Sequence, residues 1–265
     1  MSRILFIPLL LFLGACAFNG SYYQPNTDRV HDFPDAESIY IPFGKQDSIH
    51  GFFFKQEDPI ASLFLLHGNA GNLTSWGEVG DIFFQAGYQV MIIDYPGFGN
   101  STGKASHKNV YPATQAAVDY FLDHELVKGT KKVLMGFSLG ANLAVKMGHD
   151  NPELFDAMLL EGAFESHKAI AVDRVPRPFK FAPYLVVKNA IKGKELIKTW
   201  NKPLLIIHSK DDAVCNYKMG KALYDNAINT SQKELWTING PHLAGLGQNF
   251  NIYLAKLKTL VDKIP

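Results

Sequence analysis

Two stretches of the chain match the pattern Gly-x-Ser-x-Gly that often surrounds a catalytic serine. They are GNSTG, which contains Ser101, and GFSLG, which contains Ser138. A serine hydroxyl becomes a nucleophile for acyl transfer when a histidine removes its proton and an acid orients that histidine. The pattern is short enough to occur by chance, so the residues around each match must decide between them.

The context of Ser138 fits a nucleophile better than the context of Ser101. A nucleophilic serine of this kind lies on a sharp turn between a buried strand and a helix. The apolar run KVLMGF leads directly into Ser138, and a helical pattern begins at Ala141. Around Ser101, PGFG separates the serine from its strand and KASHKN follows without helical periodicity. The sequence predicts Ser138 as the nucleophile, with a helix N-cap serine as the alternative.

His242 is the candidate base, because it follows both Ser138 and a plausible acid, in the order that such enzymes use. It lies in the Gly/Pro-rich stretch NGPHLAGL, between the last predicted strand and the last helix. The loop HSKDDAVC offers Asp211 and Asp212 as the acid. Glu161, at the end of the preceding strand, is a third candidate, for which a buried hydrogen-bond acceptor is the favoured interpretation.

Two backbone N–H groups must stabilise the oxyanion of a tetrahedral intermediate. Leu139, directly after the candidate nucleophile, is predicted to supply the first. The loop HGNAGN (67–72) follows the apolar run ASLFLL and should supply the second, from Asn69 or else from Ala70. His67 in the same loop is interpreted as a structural hydrogen-bonding residue.

The elements that must position these residues alternate along the chain from Ser38 onward. SIYIPF and IHGFFFK predict an opening pair of strands, and KELWTI (233–238) predicts the last strand. Near-continuous apolar runs predict five buried parallel strands, at 61–67, 89–95, 132–137, 157–163 and 203–209. Helical patterns lie at 111–126, at 141–150 and at the C-terminus. This alternation predicts an α/β fold with a doubly wound, mostly parallel sheet of about eight strands, whose functional loops lie at the carboxyl ends of the strands.

The segment between Glu165 and Asn201 interrupts the alternation. It contains three prolines and the Lys/Arg-rich run RVPRPFKFAPY, and it lies between two predicted strands. We interpret residues of about 165–201 as a small cap over the site, the alternative being a long crossover with one ordinary helix. Four apolar side chains suggest a pocket for an apolar acyl group, although ordinary packing explains them equally well: Phe179, Phe181, Tyr184 and Leu185.

The N-terminus carries its own signals. Arg3 precedes an apolar run that is too short to span a bilayer and is typical of a secretory signal, although a buried N-terminal helix or strand is the alternative. LGAC (13–16) resembles the lipobox of bacterial lipoproteins. That resemblance implies a signal peptide at 1–15, attachment of lipid such as palmitate to Cys16, and a location in the bacterial cell envelope. Ala17 further implies the outer membrane, facing the periplasm.

The remaining predictions concern linkers, charge and ligands. We expect a polar tether over 16–36 and the folded domain over 37–265. Lys plus Arg number 26 and Asp plus Glu number 25, which argues against nucleic-acid binding and against an electrostatic membrane patch. Lipidation of Cys16 would leave Cys215 without a disulfide partner. No His/Cys cluster has metal-ligand spacing, so neither a metal nor a cofactor is implied, and we expect a monomer.

Taken together, these motifs resemble the α/β-hydrolase superfamily. HGNAGN, DYPGFGNSTG, GFSLGAN, HSKDDAV and GPH occur in the order of that family across roughly residues 38–265. They are most similar to its small-capped serine hydrolases, which include esterases, thioesterases and lipases. The resemblance favours Asp212 as the acid, because the family uses a D-x-V pattern. It also places Asp94 and its loop near the site as support.

Two departures from the family pattern lie beside these residues. Cys215 and Asn216 stand where a proline often follows the valine of the acid loop, and the histidine motif is GPH in place of the commoner GxGH. Neither departure removes a chemical group that the reaction needs.

The predicted activity is hydrolysis of carboxylic esters or thioesters by a Ser138–His242–Asp212 triad through an acyl-enzyme. Three alternatives remain. A serine peptidase would use the same triad, but the chain lacks room for a propeller or large cap that selects peptides. A dehalogenase would carry Asp where this chain has Ser138. A non-catalytic envelope lipoprotein could keep the fold as a binding scaffold, but it would need none of the three residues.

Overall fold

The computed structural model describes residues 22–265. The predicted signal peptide, Cys16 and the first residues of the predicted tether lie outside the described residues. The strands are β1 (Ala36–Phe43), β2 (Asp47–Phe54), β3 (Ser62–Leu66), β4 (Gln89–Ile93), β5 (Lys132–Phe137), β6 (Ala157–Glu161), β7 (Leu204–Ser209) and β8 (Lys233–Ile238).

These strands form one sheet in the order β1-β2-β4-β3-β5-β6-β7-β8. β2 pairs antiparallel with β1 and with β4, and the other pairings are parallel. The predicted α/β fold with a mostly parallel sheet of about eight strands is therefore confirmed. Because β4 and β5 lie on opposite sides of β3, the strand order reverses there, and the loops after β3 and β5 meet at the carboxyl edge, where such sheets bind ligands.

Sequence composition explains the central strands. Every residue of SLFLL in β3, QVMII in β4 and AMLLE in β6 is buried, as expected for strands with helices on both faces. β1 alternates buried and exposed residues along YIPF, which is typical of an edge strand with one face in water.

The helices that cover the sheet are α1 (Leu73–Gln85), α2 (His107–Asp123), α3 (Leu139–Asp150), α4 (His167–Arg174), α5 (Ala182–Val186), α6 (Gly193–Leu196), α7 (Tyr217–Asn226), α8 (Ala244–Gln248) and α9 (Phe250–Asp262). Side chains of α2, α3 and α7 belong to one hydrophobic core, and side chains of α1 and α9 belong to the core on the opposite face. The sheet is therefore doubly wound.

Helix α1 has no counterpart among the helices predicted from sequence. It begins after Asn72, whose side chain accepts a hydrogen bond from the Thr74 N–H. Its glycines allow close packing, since a Cβ at Gly77 would overlap the Phe33 ring and one at Gly80 would lie 2.8 Å from the Phe54 ring.

Residues 22–33, here called the N-terminal strap, belong to the predicted polar tether over 16–36, and the structure packs them against the folded domain. Tyr23 and Val30 are buried within the two cores. The strap is also bonded to the loop after β3, because the Asn72 amide donates to the Asp28 carbonyl over 2.8 Å. A polar composition with prolines indicated a flexible linker, but two buried side chains and several backbone hydrogen bonds hold this segment against the domain.

Helices α4, α5 and α6 lie between β6 and β7, together with short 3₁₀ turns at Phe179–Phe181 and Ile197–Thr199. This segment corresponds to the predicted cap of about 165–201 and packs through α4 on α5. Within residues 22–265, no helix is both long and apolar enough to cross a membrane.

Candidate active site

Ser138 lies on the sharp turn between β5 and α3. Its φ of 52° is in the left-handed region, which a serine occupies only when the surrounding structure imposes it. The Ser138 N–H donates to the Glu161 carbonyl over 2.8 Å, and α3 begins at Leu139. The turn therefore projects the Ser138 side chain from the carboxyl edge of the sheet, at the positive end of a helix.

The two glycines of GFSLG are required by close approach of the backbone. A Cβ at Gly136 would lie 2.5 Å from the Gly140 carbonyl oxygen. A Cβ at Gly140 would overlap the carbonyl oxygen of Leu66 at the end of β3. Real Cβ contacts do not come so close, so these positions exclude larger residues.

Asp212 and His242 form a direct hydrogen bond. His242 Nδ1 lies 2.6 Å from Asp212 Oδ2, and the Asp212 side chain is 1% exposed while that of His242 is 15% exposed. The other carboxylate oxygen of Asp212 accepts hydrogen bonds from the N–H groups of Val214 and Cys215. The carboxylate of Asp212, chosen from the two candidates of the loop, is therefore the one that faces His242.

These hydrogen bonds set the charge of Asp212. Burial opposes ionisation, but the hydrogen bonds from His242 and from the Cys215 and Val214 N–H groups hold the pKa of Asp212 below its ordinary value. An ionised Asp212 fixes the tautomer of His242 with the proton on Nδ1, which leaves Nε2 as the basic nitrogen. Asp211 is exposed and instead accepts a hydrogen bond from the Gly240 N–H.

Ser138 and His242 both lie against the chain at Gly162. The Ser138 N–H donates to the Glu161 carbonyl, directly before Gly162, and a Cβ on Gly162 would lie 2.6 Å from His242 Cε1. Among the described residues, no hydrogen bond joins the Ser138 hydroxyl to His242, and the buried Nε2 of His242 has no partner. The structure thus joins Asp212 and His242 by a hydrogen bond and places both Ser138 and His242 against the chain at Glu161 and Gly162.

Glu161 is a hydrogen-bond acceptor, which was the favoured interpretation. Its Oε1 accepts from the Gly245 N–H over 2.8 Å, three residues after His242. Burial raises the pKa of Glu161 to about 7, against the opposing effects of the Gly245 N–H and the Tyr253 hydroxyl. Glu161 therefore ties the loop of His242 to the end of β6.

The predicted oxyanion donors also lie at this edge. Asn69 and Leu139 line the same cavity as Ser138. Neither their N–H groups nor that of Ala70 donates to an acceptor within residues 22–265. The Asn69 side chain is occupied elsewhere, since it accepts from the Gln24 N–H and donates to the Tyr22 carbonyl. The side chain thus anchors the strap while the backbone N–H stays free.

The cavity beside Ser138 has a volume of about 150 Å³. The strap contributes Tyr22 and Gln24 to its wall, and the cap contributes Ile170 and Arg174. Sequence reasoning did not assign Tyr22 to the site. Its signal was a pair of tyrosines in an otherwise polar segment, and its ring lies 4.4 Å from that of His167 at the start of α4.

Cys215 stands beside the candidate nucleophile. Burial raises the pKa of its thiol to about 12, although the neighbouring Ser138 side chain opposes this slightly. A thiol with such a pKa remains protonated and unreactive at neutral pH. The departure from the usual proline therefore places a neutral group in the cavity wall.

The loop of the other serine is structural. The Ser101 hydroxyl donates to the Asp94 carbonyl and accepts from the His50 N–H, over 2.9 and 2.8 Å. Asp94 itself is buried, accepts from the Leu73 N–H at the start of α1, and lies 3.2 Å from His67 Nε2. Through Asp94, this loop supports the loop after β3, and the hydroxyl of Ser101 is already bonded to the backbone on both sides.

The four apolar side chains of the cap do not line the cavity beside Ser138. Phe179, Phe181, Tyr184 and Leu185 are exposed to solvent. The apolar wall of the cavity is formed by other residues, among them Phe164, Ile170 and Leu139. The suggestion that the cap aromatics form an acyl pocket is therefore wrong.

Comparisons with known proteins bear on the fold that holds these residues. A family model described as alpha/beta hydrolase fold matches residues 61–191. The chain is 28% identical over 270 residues to the Salmonella typhi protein named "Uncharacterized protein YfhR", covering 94% of this chain and 90% of that protein. It is 31% identical to the Saccharomyces cerevisiae protein named "Uncharacterized membrane protein YNL320W", covering 76% of this chain and 73% of that protein.

A solved structure shares the fold as a whole. The Pyrococcus furiosus esterase Pf2001 superposes with a TM-score of 0.73 over 91% of this chain and 99% of its own, at 17% sequence identity. The matched family model, the relative at 31% identity and the eight-stranded sheet with a serine at the turn after β5 lead to one conclusion. The chain belongs to the α/β-hydrolase family.

Proposed function

We propose that the protein is a serine hydrolase that cleaves carboxylic ester or thioester bonds through an acyl-enzyme. The observation that carries this proposal is the hydrogen-bonded Asp212–His242 pair at the strand edge that presents Ser138, in which the buried Nε2 of His242 has no partner among the described residues. A histidine oriented by an ionised carboxylate, with a free nitrogen near a strained serine, is the arrangement that activates a hydroxyl.

In the proposed mechanism, His242 Nε2 takes the Ser138 proton as Ser138 Oγ bonds to the acyl carbon. The carbonyl electron pair moves to oxygen, which the N–H groups of Leu139 and Asn69 stabilise. The oxyanion then collapses, the bond to the leaving oxygen or sulfur breaks, and His242 returns its proton to that atom. Water attacks the acyl-enzyme by the same route, and Asp212 stabilises the imidazolium in both halves.

The cavity supports a substrate class with a small acyl group. Its volume of about 150 Å³ is below the roughly 300–1,000 Å³ of sites that enclose a whole drug-sized ligand. Apolar walls from Leu139, Phe164 and Ile170 suit the acyl part. The leaving group would extend towards solvent. We therefore propose that short-chain esters and thioesters are cleaved faster than long-chain ones.

Labelling with a fluorophosphonate probe tests the reaction type, because this reagent phosphonylates a serine that a neighbouring histidine activates. We expect labelling of the full chain and of Ser101→Ala, and its loss in Ser138→Ala and in His242→Ala. Intact-mass measurement identifies the adduct. Labelling that survives in Ser138→Ala, or its absence from the wild type, would overturn the proposal and favour the binding-scaffold alternative.

A substrate panel then tests the bond and the acyl length. We expect p-nitrophenyl acetate and butyrate, and the matching acyl thioesters, to be hydrolysed with higher kcat/KM than the palmitate compounds. Peptide anilides are the matched control for the peptidase alternative, and faster cleavage of these anilides than of every ester would replace the proposed substrate class.

We also propose that Cys16 carries lipid and anchors the chain in the bacterial envelope. Tyr22, already part of the cavity wall, follows Cys16 by six residues, which span at most roughly 21 Å. Metabolic incorporation of an alkynyl palmitate analogue should label the wild type and be lost in Cys16→Ser. Equal labelling of the two would show that Cys16 is not the attachment site.

A further inference from the structure

Four large apolar side chains of the cap, close together in the sequence, are mostly exposed to solvent. Their exposed fractions are 59% for Phe179, 58% for Phe181, 62% for Tyr184 and 68% for Leu185. The four lie within seven residues, on a 3₁₀ turn and the helix α5 that follows it. Exposed apolar groups occur singly on most proteins, whereas a cluster marks a surface that something else covers.

Basic charge surrounds this cluster. Between Arg174 and Lys194 the chain has six Lys or Arg residues and no Asp or Glu. Without these six, the whole chain has 20 basic side chains against 25 acidic ones. The near-zero net charge, which argued against an electrostatic membrane patch, therefore hides a local excess on the cap. Asp173, in the last turn of α4, and Glu195, in α6, are the acidic residues that flank this basic run in the sequence.

The cluster is presented by a packed surface. The Lys168 ammonium group in α4 donates to the Tyr184 carbonyl over 3.1 Å and lies 6.0 Å from the centre of its ring. Pro183 and Val187, which flank the exposed residues of α5, are buried. The exposed side chains therefore project from an ordered base.

We propose that this cap face docks on a lipid bilayer that contains anionic phospholipids. Aromatic and aliphatic side chains at an interface bury themselves at the boundary between headgroups and acyl chains, and Lys or Arg beside them bind anionic headgroups. The excess of positive charge beside exposed apolar side chains commits the face to an anionic lipid surface, which offers both anionic headgroups and an apolar layer.

The position of the strap is consistent with this occupant. Tyr22, the first described residue, packs against His167 at the start of α4. Tyr22, which follows the proposed site of lipid attachment at Cys16 by six residues, therefore lies on the side of the cap. Arg174 belongs both to the basic run and to the cavity wall, so docking of the cap face would set the mouth of the cavity beside the membrane.

Quenching by brominated phospholipid tests insertion of the cap without any enzymatic readout. The full chain is bound to vesicles of phosphatidylcholine with 30% phosphatidylglycerol, in brominated and unbrominated form, as the wild type, Tyr184→Trp and Tyr40→Trp. Tyr40 is 56% exposed in the edge strand β1 and supplies the matched control. We expect added quenching in Tyr184→Trp alone. Equal quenching in both variants, or in neither, would overturn the proposal.

The charges are tested by vesicle binding of paired double variants. Lys188→Gln with Lys192→Gln removes two exposed cap charges, and Lys45→Gln with Lys104→Gln removes two exposed charges elsewhere. We expect the cap pair to lower affinity for the anionic vesicles about fivefold per charge and the control pair to change it less. The same affinity in both pairs, or equal binding of the wild type to pure phosphatidylcholine, would overturn the anionic lipid as the occupant.

Discussion

The loops around Ser101 and Ser138 share one sequence pattern and lie at the same edge of the sheet, yet they do different things. Ser101 is 7% exposed, and its hydroxyl is hydrogen-bonded to the backbone of Asp94 and His50. Ser138 has a strained φ of 52° and lines a cavity. The difference shows that backbone strain and a place in a cavity wall, more than the pattern itself, distinguish the candidate nucleophile from a structural serine.

The glycines of the two motifs also serve different ends. Gly99 and Gly103 have φ angles of 48° and 85°, so the Ser101 loop needs glycine for its backbone conformation, and at Gly99 a Cβ would also overlap the Asp94 carboxylate. Gly136 and Gly140 have no positive φ, and they are glycine because another strand or turn passes against them. One pattern therefore arises from two physical requirements.

The largest expected effect is a crossed result for the two serine-to-alanine variants. Ser138→Ala should lower kcat for a short-chain ester by on the order of 10⁶-fold, because nucleophile removal disables the whole triad. Ser101→Ala should leave kcat within about tenfold but lower the free energy of unfolding by about 1–3 kcal/mol, since two buried backbone groups lose their partner.

Ester turnover and urea unfolding of both variants measure this comparison. The stability of Ser138→Ala should equal or exceed that of the wild type, because a strained functional site loses none of its hydrogen bonds. An inactive Ser101→Ala with wild-type stability would break the distinction between the two loops.

The second effect concerns Asp212, the candidate acid of the proposed triad with Ser138. Asp212→Asn should lower kcat about 10⁴-fold, because an amide no longer fixes the tautomer of His242. The neighbouring Asp211→Asn keeps an oxygen for the Gly240 N–H and should lose less than about tenfold. Steady-state kinetics of Asp212→Asn and Asp211→Asn measure the two losses in kcat. Equal losses would mean that activity depends on the conformation of the loop and not on the carboxylate that contacts His242.

Much of the site could be predicted from the sequence because its signals are local. Buried strands such as PLLII and KVLMGF have continuous apolar runs, and each leads into the loop that holds a candidate residue. An apolar strand directly before Ser138 and a helical pattern directly after it predict the sharp turn at this serine. The placement of Asp212 depended on resemblance as well, because the residues alone left Asp211 open.

The remaining features depend on contacts between distant parts of the chain. The strap has a linker composition, and contacts with distant residues hold it in place, among them the hydrogen bond from Asn69 to the Tyr22 carbonyl, 47 residues apart. Helix α1 contains glycines that weaken its local signal, and tertiary packing against Phe33 and Phe54 overrides it. The apolar side chains of the cap suggested the wall of an acyl pocket. Sequence alone does not show which side of a short helix faces solvent, and in the structure these side chains are exposed.

The third effect tests the two kinds of glycine. Gly140→Ala places a methyl group on the carbonyl of Leu66, at the end of the buried strand β3. It should therefore destabilise the fold by about 3 kcal/mol or more and abolish ester turnover. Gly103→Ala meets only the positive φ and a side-chain contact at 3.0 Å, with an expected cost of about 1–2 kcal/mol. Thermal melts and ester turnover of both variants check this order, and a costlier Gly103→Ala would contradict it.

The smallest effect concerns Glu161, which connects the Ser138 loop to the loop of the candidate base His242; the Ser101 loop has no such connection in the hydrogen bonds described above. The Glu161 carbonyl holds the Ser138 N–H and the Glu161 carboxyl holds the Gly245 N–H. Its pKa is about 7 in the folded protein, against 4.5 as the ordinary value. Between these two pH values the unfolded chain loses a proton that the folded chain keeps, so this group makes stability fall as pH rises through that window.

The measurement is the free energy of unfolding from pH 4 to pH 8 for the wild type and Glu161→Gln. The wild-type value minus the variant value should fall by roughly 3 kcal/mol across this range. Taking the difference cancels the buried histidines, which both proteins share. Glu57→Gln, at an exposed position, should show a difference that is constant within about 0.5 kcal/mol. A flat difference for Glu161→Gln would mean that Glu161 is already ionised at pH 5, and that the loop of His242 is held by a charged acceptor.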